Sequence, residues 1–442
     1  MIKKDKEVVV KELSDSRRKF LRESFQTAFL IPFICKPFDI SKGFVVKKHV
    51  IENLSSSMVN EKSIIGSYGK WAASLKKDIP ALSFRNQEWT NLQLWKKEAL
   101  PKVKELLSSP DFSQIPLVTT ERKYVYDGLE IEELSWELPY GRPTKAVLLK
   151  PLGIKKPLPA ILALHDHAGK KYFGYRKIVR TSDDQHPLLK EHQSTDYGGK
   201  AWANEIAKRG YVVLVHDTFA FGSRRVHYED VDGLSYGNLN VTDKRDDDPE
   251  KTENINTYNE WSGNHEHVMS KSLFSSGTTW PGVVLAEDQI ALSILSKHKD
   301  VDPERIGCGG LSGGGLRTVY LGGLDSRIKC AVCVGFMTTW NDLILNRSFT
   351  HTWMTYAPLL PKYLDFPEIL GLRVPLPTLV QSNNQDELYT LSEMKNADQM
   401  LSEVFTKADA KDKYLGKFYD GEHKFDAQMQ SDAFDWFDRW LK

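Results

Sequence analysis

Cysteine is scarce in this chain, with four residues in a sequence of 442. So few thiols do not provide a disulfide framework. Cys308, Cys330 and Cys333 fall in predicted strands, and the C-x-x-C spacing of the last two is typical of redox pairs. Because residues three apart on a strand point to opposite faces, we expect buried, free thiols instead.

The chain also lacks an excess of charge of either sign. Its 60 basic and 59 acidic residues give a formal net charge of +1, so the composition does not favour nucleic acid or anionic lipid as a partner. No apolar run is long enough to predict a transmembrane helix. Hydrophobic residues make up 40% and charged residues 27% of the chain, which is typical of a globular protein with a large core.

The most informative motif is Gly310-Leu311-Ser312-Gly313-Gly314. It follows a strand-like run, 305–309, and opens a helix-like run, 316–324. In this setting G-x-S-x-G forms a turn so tight that side chains two residues before and after the serine would collide. The pattern predicts a nucleophile at Ser312 and an oxyanion donor at the backbone N–H of Gly313. A phosphate-binding loop is disfavoured, because no Lys-Ser or Lys-Thr follows the glycines.

A serine nucleophile needs a base and a carboxylate that orients the base. In the strand–turn–helix arrangement the acid follows the serine and the histidine follows the acid, each in a loop after a strand. One acidic loop follows the predicted strand 377–381, and His423 lies in the loop after the predicted strand 413–419. We predict Asp386 as the acid, with Glu387 as its competitor, and His423 as the base.

A second oxyanion donor is expected in the loop after an earlier central strand. Residues 159–164 form an apolar run typical of a buried parallel strand, and His165-Asp166-His167-Ala168-Gly169 follows it. We predict the backbone N–H of His167 as the donor. The pairs His165/His167 and His265/His267 have no third ligand at a useful spacing, so no metal site is predicted. Hydrogen bonds that shape the loop are the expected role of the first pair.

Four segments resemble α/β-hydrolases of the dienelactone-hydrolase-like group, near the acetyl xylan esterase-like proteins: Leu164–Gly169, His216–Arg225, Val301–Gly307 and Gly421–Phe425. The resemblance covers residues 85–442. It implies a mostly parallel central sheet with helices on both faces, and a Ser-His-Asp hydrolase that needs no metal and no organic cofactor. Asp166 stands where such folds usually have glycine. The nucleophile is serine where dienelactone hydrolase itself has cysteine, which favours ester hydrolysis over lactone opening.

Hydrolysis of carboxylic esters is therefore the expected activity, with small-molecule or saccharide esters, including sugar acetates, as substrates. A serine peptidase or amidase would use the same triad, and so would a carbon–carbon hydrolase. A hydrolase-fold binding protein with an idle site is an alternative of a different class. The sequence names neither the ester nor the oligomeric state.

The first 43 residues differ from the rest. Ser16-Arg17-Arg18-Lys19-Phe20-Leu21-Arg22 matches a twin-arginine export signal, and the moderately apolar stretch 25–38 follows it. That stretch contains Pro32 and Lys36 and is too short to span a membrane. No A-x-A cleavage site is evident. The segment predicts export to the periplasm, with a cytoplasmic location as the alternative.

Residues 44–120 are predicted to form an N-terminal helical extension, and residues 121–442 the α/β-hydrolase catalytic domain. The best helix of the extension is 87–107, whose apolar residues at helical spacing indicate a docking face rather than a cofactor site. Pro101 is expected to kink this helix. Residues 121–150 alternate in the manner of an antiparallel meander that enters the sheet.

Three long polar stretches, 170–199, 222–280 and 338–373, interrupt the alternation of strands and helices. Loops of this length are usually functional or mobile, and at the carboxyl ends of parallel strands they rim the ligand crevice. We interpret them as walls or lids of the substrate site. Arg224 and Arg225 would anchor an anionic substrate or brace Asp217 or a loop carboxylate. The predicted substrate-binding residues are Trp261, Trp280, Trp340, Trp353, Tyr356 and Arg225.

Overall fold

A nine-stranded sheet forms the centre of the computed structural model, which describes residues 62–112, 114–236, 239–240 and 250–442. The predicted export signal and the start of the predicted helical extension lie outside the described residues, so export stays a prediction.

The central sheet is mostly parallel, as predicted. Across it the strands run in the order β1-β2-β3-β5-β4-β8-β9-β10-β11. The pairs from β1 to β5 are antiparallel, and every pair from β5 to β11 is parallel. The antiparallel meander predicted for residues 121–150 is confirmed. A separate ribbon is formed by β6 (Ser235–Tyr236) and β7 (Leu239–Asn240). The strands of the central sheet are β1 (Val118–Tyr126), β2 (Leu129–Trp136), β3 (Thr144–Pro151), β4 (Leu158–Ala163), β5 (Val212–His216), β8 (Val301–Leu311), β9 (Ile328–Val334), β10 (Thr378–Asn383) and β11 (Tyr414–Tyr419).

Helices cover both faces of the sheet, because the side chains of each buried strand alternate between two apolar clusters. In β4, Ala160 and Leu162 pack into one cluster, whereas Ile161 and Ala163 pack into the other. The helices are α1 (Gly69–Ser74), α2 (Leu92–Leu107), α3 (Pro187–Tyr197), α4 (Trp202–Lys208), α5 (Thr252–Ser275), α6 (Trp280–Ser296), α7 (Gly313–Leu324), α8 (Trp340–Asp342), α9 (Phe366–Gly371), α10 (Leu391–Lys407) and α11 (Ala427–Leu441). Of these, α2, α6, α7, α9 and α10 contribute to the first cluster, and α4 and α11 to the second.

The helix predicted at 87–107 begins later, at Leu92. The side chain of Asn91 accepts hydrogen bonds from the backbone N–H groups of Gln93 and Leu94, at 2.9 and 3.0 Å, and so fixes the first turn. Pro101 lies inside the helix, which runs on to Leu107. Its buried stripe packs into the same cluster as the sheet, so the predicted docking face is confirmed.

The three long polar stretches are not simple loops, and that part of the interpretation is wrong. They contain α3, α5, α8 and α9. The longest, α5, has 24 residues and buries polar side chains such as Ser262, His265, Glu266 and Ser270 on its inner face. Apolar residues at helical spacing mark only its first half, at Ile255, Tyr258 and Trp261, and the rest of its buried face is polar, so apolar periodicity does not indicate the full helix.

The three cysteines of the sheet region, Cys308, Cys330 and Cys333, are buried and free, as expected. The chain as described here contains no helix that is both long and apolar enough to cross a membrane.

Candidate active site

Ser312 lies in the tight turn that the sequence predicts. It directly follows β8 and precedes α7, and its backbone adopts φ 56° and ψ −117°, a left-handed region that L-residues occupy only under constraint. A Cβ atom added to Gly310 or to Gly314 would lie 2.1 Å from the carbonyl oxygen of Leu164 in either case. Glycine is therefore required at both positions for β4 and α7 to approach each other.

His423 and Asp386 are joined by a hydrogen bond. The Nδ1 atom of His423 lies 2.6 Å from an oxygen of Asp386, whose side chain is only 1% exposed. The backbone N–H of Leu388 donates to the second carboxylate oxygen at 3.0 Å. Glu387 is exposed, so this hydrogen bond favours Asp386 over Glu387, and the choice of the acid stays a prediction. With Nδ1–H donating to the carboxylate, the Nε2 atom of His423 is an acceptor, and it has no hydrogen-bond partner within the described ranges.

One pocket brings Ser312 and His423 together. It has a volume of about 230 Å³ and is lined by both residues, by Gly313, and by the loop that follows β4. Three successive residues of the chain between α8 and α9, Thr350 to Thr352, form another part of its wall. A pocket of this size accommodates a small acyl group or a single small alcohol.

The backbone of His167 lies against Gly313, as an oxyanion site requires. A Cβ atom added to Gly313 would be 2.7 Å from the backbone nitrogen of His167. Neither N–H group has an acceptor among the residues that the structure describes. Gly313 is the first residue of α7, where backbone N–H groups have no partner within the helix. Two free donors are thus adjacent at the edge of the pocket.

Lys177 fixes the loop after β4 through hydrogen bonds and an ion pair. Its side chain is 0% exposed, and its ammonium group donates to the carbonyl oxygens of Asp166 and His167, the latter at 3.2 Å. It also forms an ion pair with the Asp166 carboxylate at 3.2 Å. These bonds fix the two carbonyl groups of the loop and leave the N–H of His167 free for a ligand.

Asp166, which replaces the usual glycine, is the centre of this buried arrangement. Besides Lys177, it accepts hydrogen bonds from Tyr197 at 2.5 Å and His192 at 3.2 Å. Burial alone would raise the pKa of the Asp166 carboxyl, but the charges of Lys177 and His192 outweigh it and hold that pKa well below its usual range. Burial would likewise lower the pKa of His192, whereas the carboxylates of Asp166 and Asp196 raise it. The departure from glycine therefore supplies an anchor for the loop.

Glu266, on α5, connects the loop after β4 with the wall at 350–353. Its carboxylate accepts from Nε2 of His167 at 2.6 Å and from Thr352 Oγ1 at 2.8 Å, and it pairs with the buried Lys171 at 2.6 Å. Nδ1 of His167 accepts from the N–H of Gly169 at 3.0 Å, so the ring hydrogen is on Nε2. The prediction that this histidine shapes the loop by hydrogen bonds is confirmed.

A buried ion pair ties α7 to the same loop. The guanidinium of Arg317 forms three hydrogen bonds to Asp288, the shortest of 2.6 Å, and donates to the carbonyl oxygen of His165 at 3.4 Å. His216, at the end of β5, also contacts Asp288, at 3.0 Å. The helix after Ser312 and the loop after β4 are therefore supported by the same cluster.

The predicted substrate-binding side chains do not line the pocket at Ser312. Trp280 is 0% exposed, and Trp340 is also buried, with its indole N–H donating to the carbonyl oxygen of Leu364 at 3.0 Å. Trp261 stacks on His265 in a separate apolar cluster, with ring centroids 5.0 Å apart. Arg225 packs over the ring of Tyr172. Trp280 and Trp340 belong to the main core and Trp261 to the separate cluster, whereas Trp353 is 36% exposed and Tyr356 is half-buried outside the pocket.

Arg224 braces a carboxylate, but not the one expected. Its guanidinium pairs with Glu287 of α6 at 2.8 Å. Asp217 instead accepts from the backbone N–H groups of Tyr175 and Ser223, both at 2.7 Å.

The comparisons with known proteins agree with this architecture. No protein-family model matches the chain. A presumed hydrolase of Bacillus subtilis strain 168, YtaP, is 25% identical over 312 residues, which are 70% of this chain and 88% of that protein. The structure of a presumed acetyl xylan esterase from Bacteroides fragilis has a TM-score of 0.60 at 18% identity and covers 80% of this chain and 82% of its own. A glucuronoyl esterase from Solibacter usitatus has a TM-score of 0.54 at 14% identity, with 82% and 97% covered. The chain has the α/β-hydrolase fold. Its assignment to the dienelactone-hydrolase-like group stays a prediction.

Within the α/β-hydrolase fold, the sequence pointed to the residues at the strand ends and missed those that support them. Lys177, Glu266 and His351 all lie in the long insertions, where no motif marks them. The only signal for Glu266 was the helical spacing of Ile255, Tyr258 and Trp261 ahead of it.

Proposed function

We propose that this protein hydrolyses carboxylic esters by two-step acyl transfer, with Ser312 as the nucleophile. One observation carries the proposal: the 2.6 Å bond between His423 and Asp386, beside a strained serine in the same pocket. His423 takes the serine proton as the hydroxyl attacks the ester carbonyl. Asp386 keeps the imidazole in the required tautomer and stabilises the imidazolium that forms.

The oxyanion is bound by the backbone N–H groups of Gly313 and His167, which have no other acceptor within the described part of the chain. Loss of one such donor costs on the order of 3 kcal/mol of transition-state stabilisation. His423 then returns its proton to the leaving alcohol. It next deprotonates the water that attacks the acyl-serine and passes this proton to the serine Oγ as the acid leaves, which restores the free enzyme.

The substrate class follows from the pocket and from the relatives. A pocket of about 230 Å³ fits a short acyl group better than a long chain. The structures that share the fold include proteins described as an acetyl xylan esterase and as glucuronoyl esterases. We therefore assign the protein to small esters, with saccharide esters as the favoured subclass.

Labelling and turnover together test this function. The wild-type protein should react with a fluorophosphonate probe and hydrolyse p-nitrophenyl acetate, whereas Ser312→Ala should do neither. Ser392→Ala, which changes an exposed serine of α10, is the matched control and should behave as the wild type. Equal turnover by Ser312→Ala would refute the proposal. Faster hydrolysis of peptide amides than of esters would reassign the protein as an amidase.

A further inference from the structure

The pocket contains four histidines, and two of them have all their ring nitrogens engaged. His167 bonds to Glu266 and Gly169, and His192 lies between the carboxylates of Asp166 and Asp196. The other two, His351 and His423, each have a buried Nε2 with no hydrogen-bond partner in the residues described. The Nε2 of His423 is needed for proton transfer. That of His351 has no role in the mechanism above.

The hydrogen bonds at the other nitrogen settle the tautomer of His351. Its Nδ1 lies 3.0 Å from the carbonyl oxygen of Arg347 and 2.7 Å from Oγ1 of Thr350. The threonine hydroxyl also lies 2.8 Å from the same carbonyl oxygen of Arg347 and 3.1 Å from the carbonyl oxygen of Leu388, so it has a carbonyl acceptor without the ring nitrogen. A carbonyl group only accepts. If Nδ1 donates to Arg347 and the hydroxyl donates to Leu388, both carbonyls are satisfied. The opposite tautomer would set a nitrogen lone pair against a carbonyl oxygen.

Nε2 of His351 is consequently a bare acceptor, and its ring is held in place. The ring packs against Tyr389 and Phe336, at centroid distances of 4.9 and 5.4 Å. Burial lowers the pKa of His351, which outweighs the opposing effect of nearby carboxylates and keeps the ring neutral. The hydroxyl of Tyr389 donates to the carbonyl oxygen of Gly335, and Thr352 donates to Glu266, so neither supplies a hydrogen to this nitrogen.

We propose that His351 is a specificity-determining residue whose Nε2 accepts a hydrogen bond from a hydroxyl group of the ester substrate. The proposal rests on the esterase function above and narrows it to hydroxylated esters, the class that includes polyol and sugar esters. The Nε2 of His351 is already buried without a donor, and an alkyl ester of the same size would leave it so. A hydroxylated ester would supply the missing donor, which favours its binding by roughly tenfold.

Matched substrates test this inference. 2-Hydroxyethyl acetate and propyl acetate differ only in a terminal hydroxyl or methyl on the alcohol side, and p-nitrophenyl glycolate and propionate make the same comparison on the acyl side. The wild type should prefer the hydroxylated member of at least one pair by roughly tenfold in kcat/KM. His351→Phe keeps an aromatic ring and removes the acceptor, so the preference should fall to about one. His351→Gln, which keeps an acceptor, should restore part of it.

His267→Phe changes an exposed histidine of α5 and is the matched control. Thermal unfolding of each variant separates misfolding from loss of selectivity. The same ester pairs can be titrated into Ser312→Ala by ligand-observed NMR, so the comparison does not depend on turnover. If His351→Phe retains the wild-type preference, or if the wild type shows none in turnover or binding, the inference fails. Absence of all ester turnover with selective binding intact would instead refute the proposed reaction.

Discussion

Replacement of Glu266 by glutamine should destabilise the protein far more than a surface substitution would. The side chain of Glu266 is 8% exposed, and its carboxylate accepts from or pairs with four donors: His167, Lys171, Thr352 and the backbone N–H of Trp353. A glutamine amide keeps one acceptor and turns the other oxygen into a donor. It also leaves the ammonium of Lys171, which is 1% exposed, without a counter-charge in the described part of the chain.

Removing one partner of a buried ion pair typically costs about 3–5 kcal/mol. We expect Glu266→Gln to lower the free energy of unfolding by about 3 kcal/mol, because burial already lowers the pKa of Lys171 and the unpaired amine can lose its proton. Lys171→Met should cost less, since His167 and Thr352 still satisfy the carboxylate. The double variant should be more stable than the sum of the two single effects predicts, by about 1–3 kcal/mol.

Denaturant unfolding of the wild type and the three variants measures this coupling. Burial alone would raise the pKa of the Glu266 carboxyl, but its interactions with His167 and Lys171 hold it far below the ordinary value of 4.5. A lowered folded-state pKa stabilises the protein above pH ~4.5, and this contribution is lost as the pH falls toward the folded pKa. Glu266→Gln should therefore also flatten the acid side of the stability profile. Additive single effects, within about 0.5 kcal/mol, would refute the reasoning.

Two further substitutions test the turn and the triad. Gly314→Ala places a methyl group 2.1 Å from a backbone carbonyl and should destabilise the protein by roughly 2 kcal/mol or more in thermal unfolding, whereas Gly263→Ala, at an open helical position, should stabilise it by about 0.5–1 kcal/mol. Equal effects at the two sites would contradict the close approach. Asp386→Asn should lower kcat by roughly 10³- to 10⁴-fold, while Glu387→Gln stays within about twofold of the wild type, as steady-state kinetics would establish. A reversed order would return the acid to Glu387.

The inner parallel strands β4, β5 and β9 were predictable because each is a short apolar run. The predicted run 159–164 corresponds to β4 at Leu158–Ala163, and the predicted strand before the serine corresponds to the end of β8. The candidate site follows from the same logic, since the ends of parallel strands meet at one edge of the sheet. The G-x-S-x-G motif, together with the acidic and histidine-bearing loops at later strand ends, was therefore enough to predict Ser312, Asp386 and His423.

The supporting residues could not be named, for a physical reason. Glu266 faces the protein from α5 because its charge is compensated by Lys171, a residue 95 positions earlier in the chain. Nothing local distinguishes such a carboxylate from a solvated one. The prediction for Trp280 was wrong for a related reason. An indole in a polar segment suggests a binding surface, but Trp280 is buried in the core. Contacts with residues far away in the sequence determine both the burial of Glu266 and the burial of Trp280.

A Cβ atom at either of the two glycines that flank the Ser312 turn, Gly310 and Gly314, would clash with the same atom, the carbonyl oxygen of Leu164. Movement of β4 relative to the turn is therefore blocked from both sides, and the segment that carries His167 cannot slide without displacing the serine. Ser312 and the segment that carries His167 are therefore held in a fixed relative position before any substrate binds. Adaptation to new esters is consequently confined to those side chains of the insertions that, unlike Lys177 and Glu266, do not hold the loop after β4.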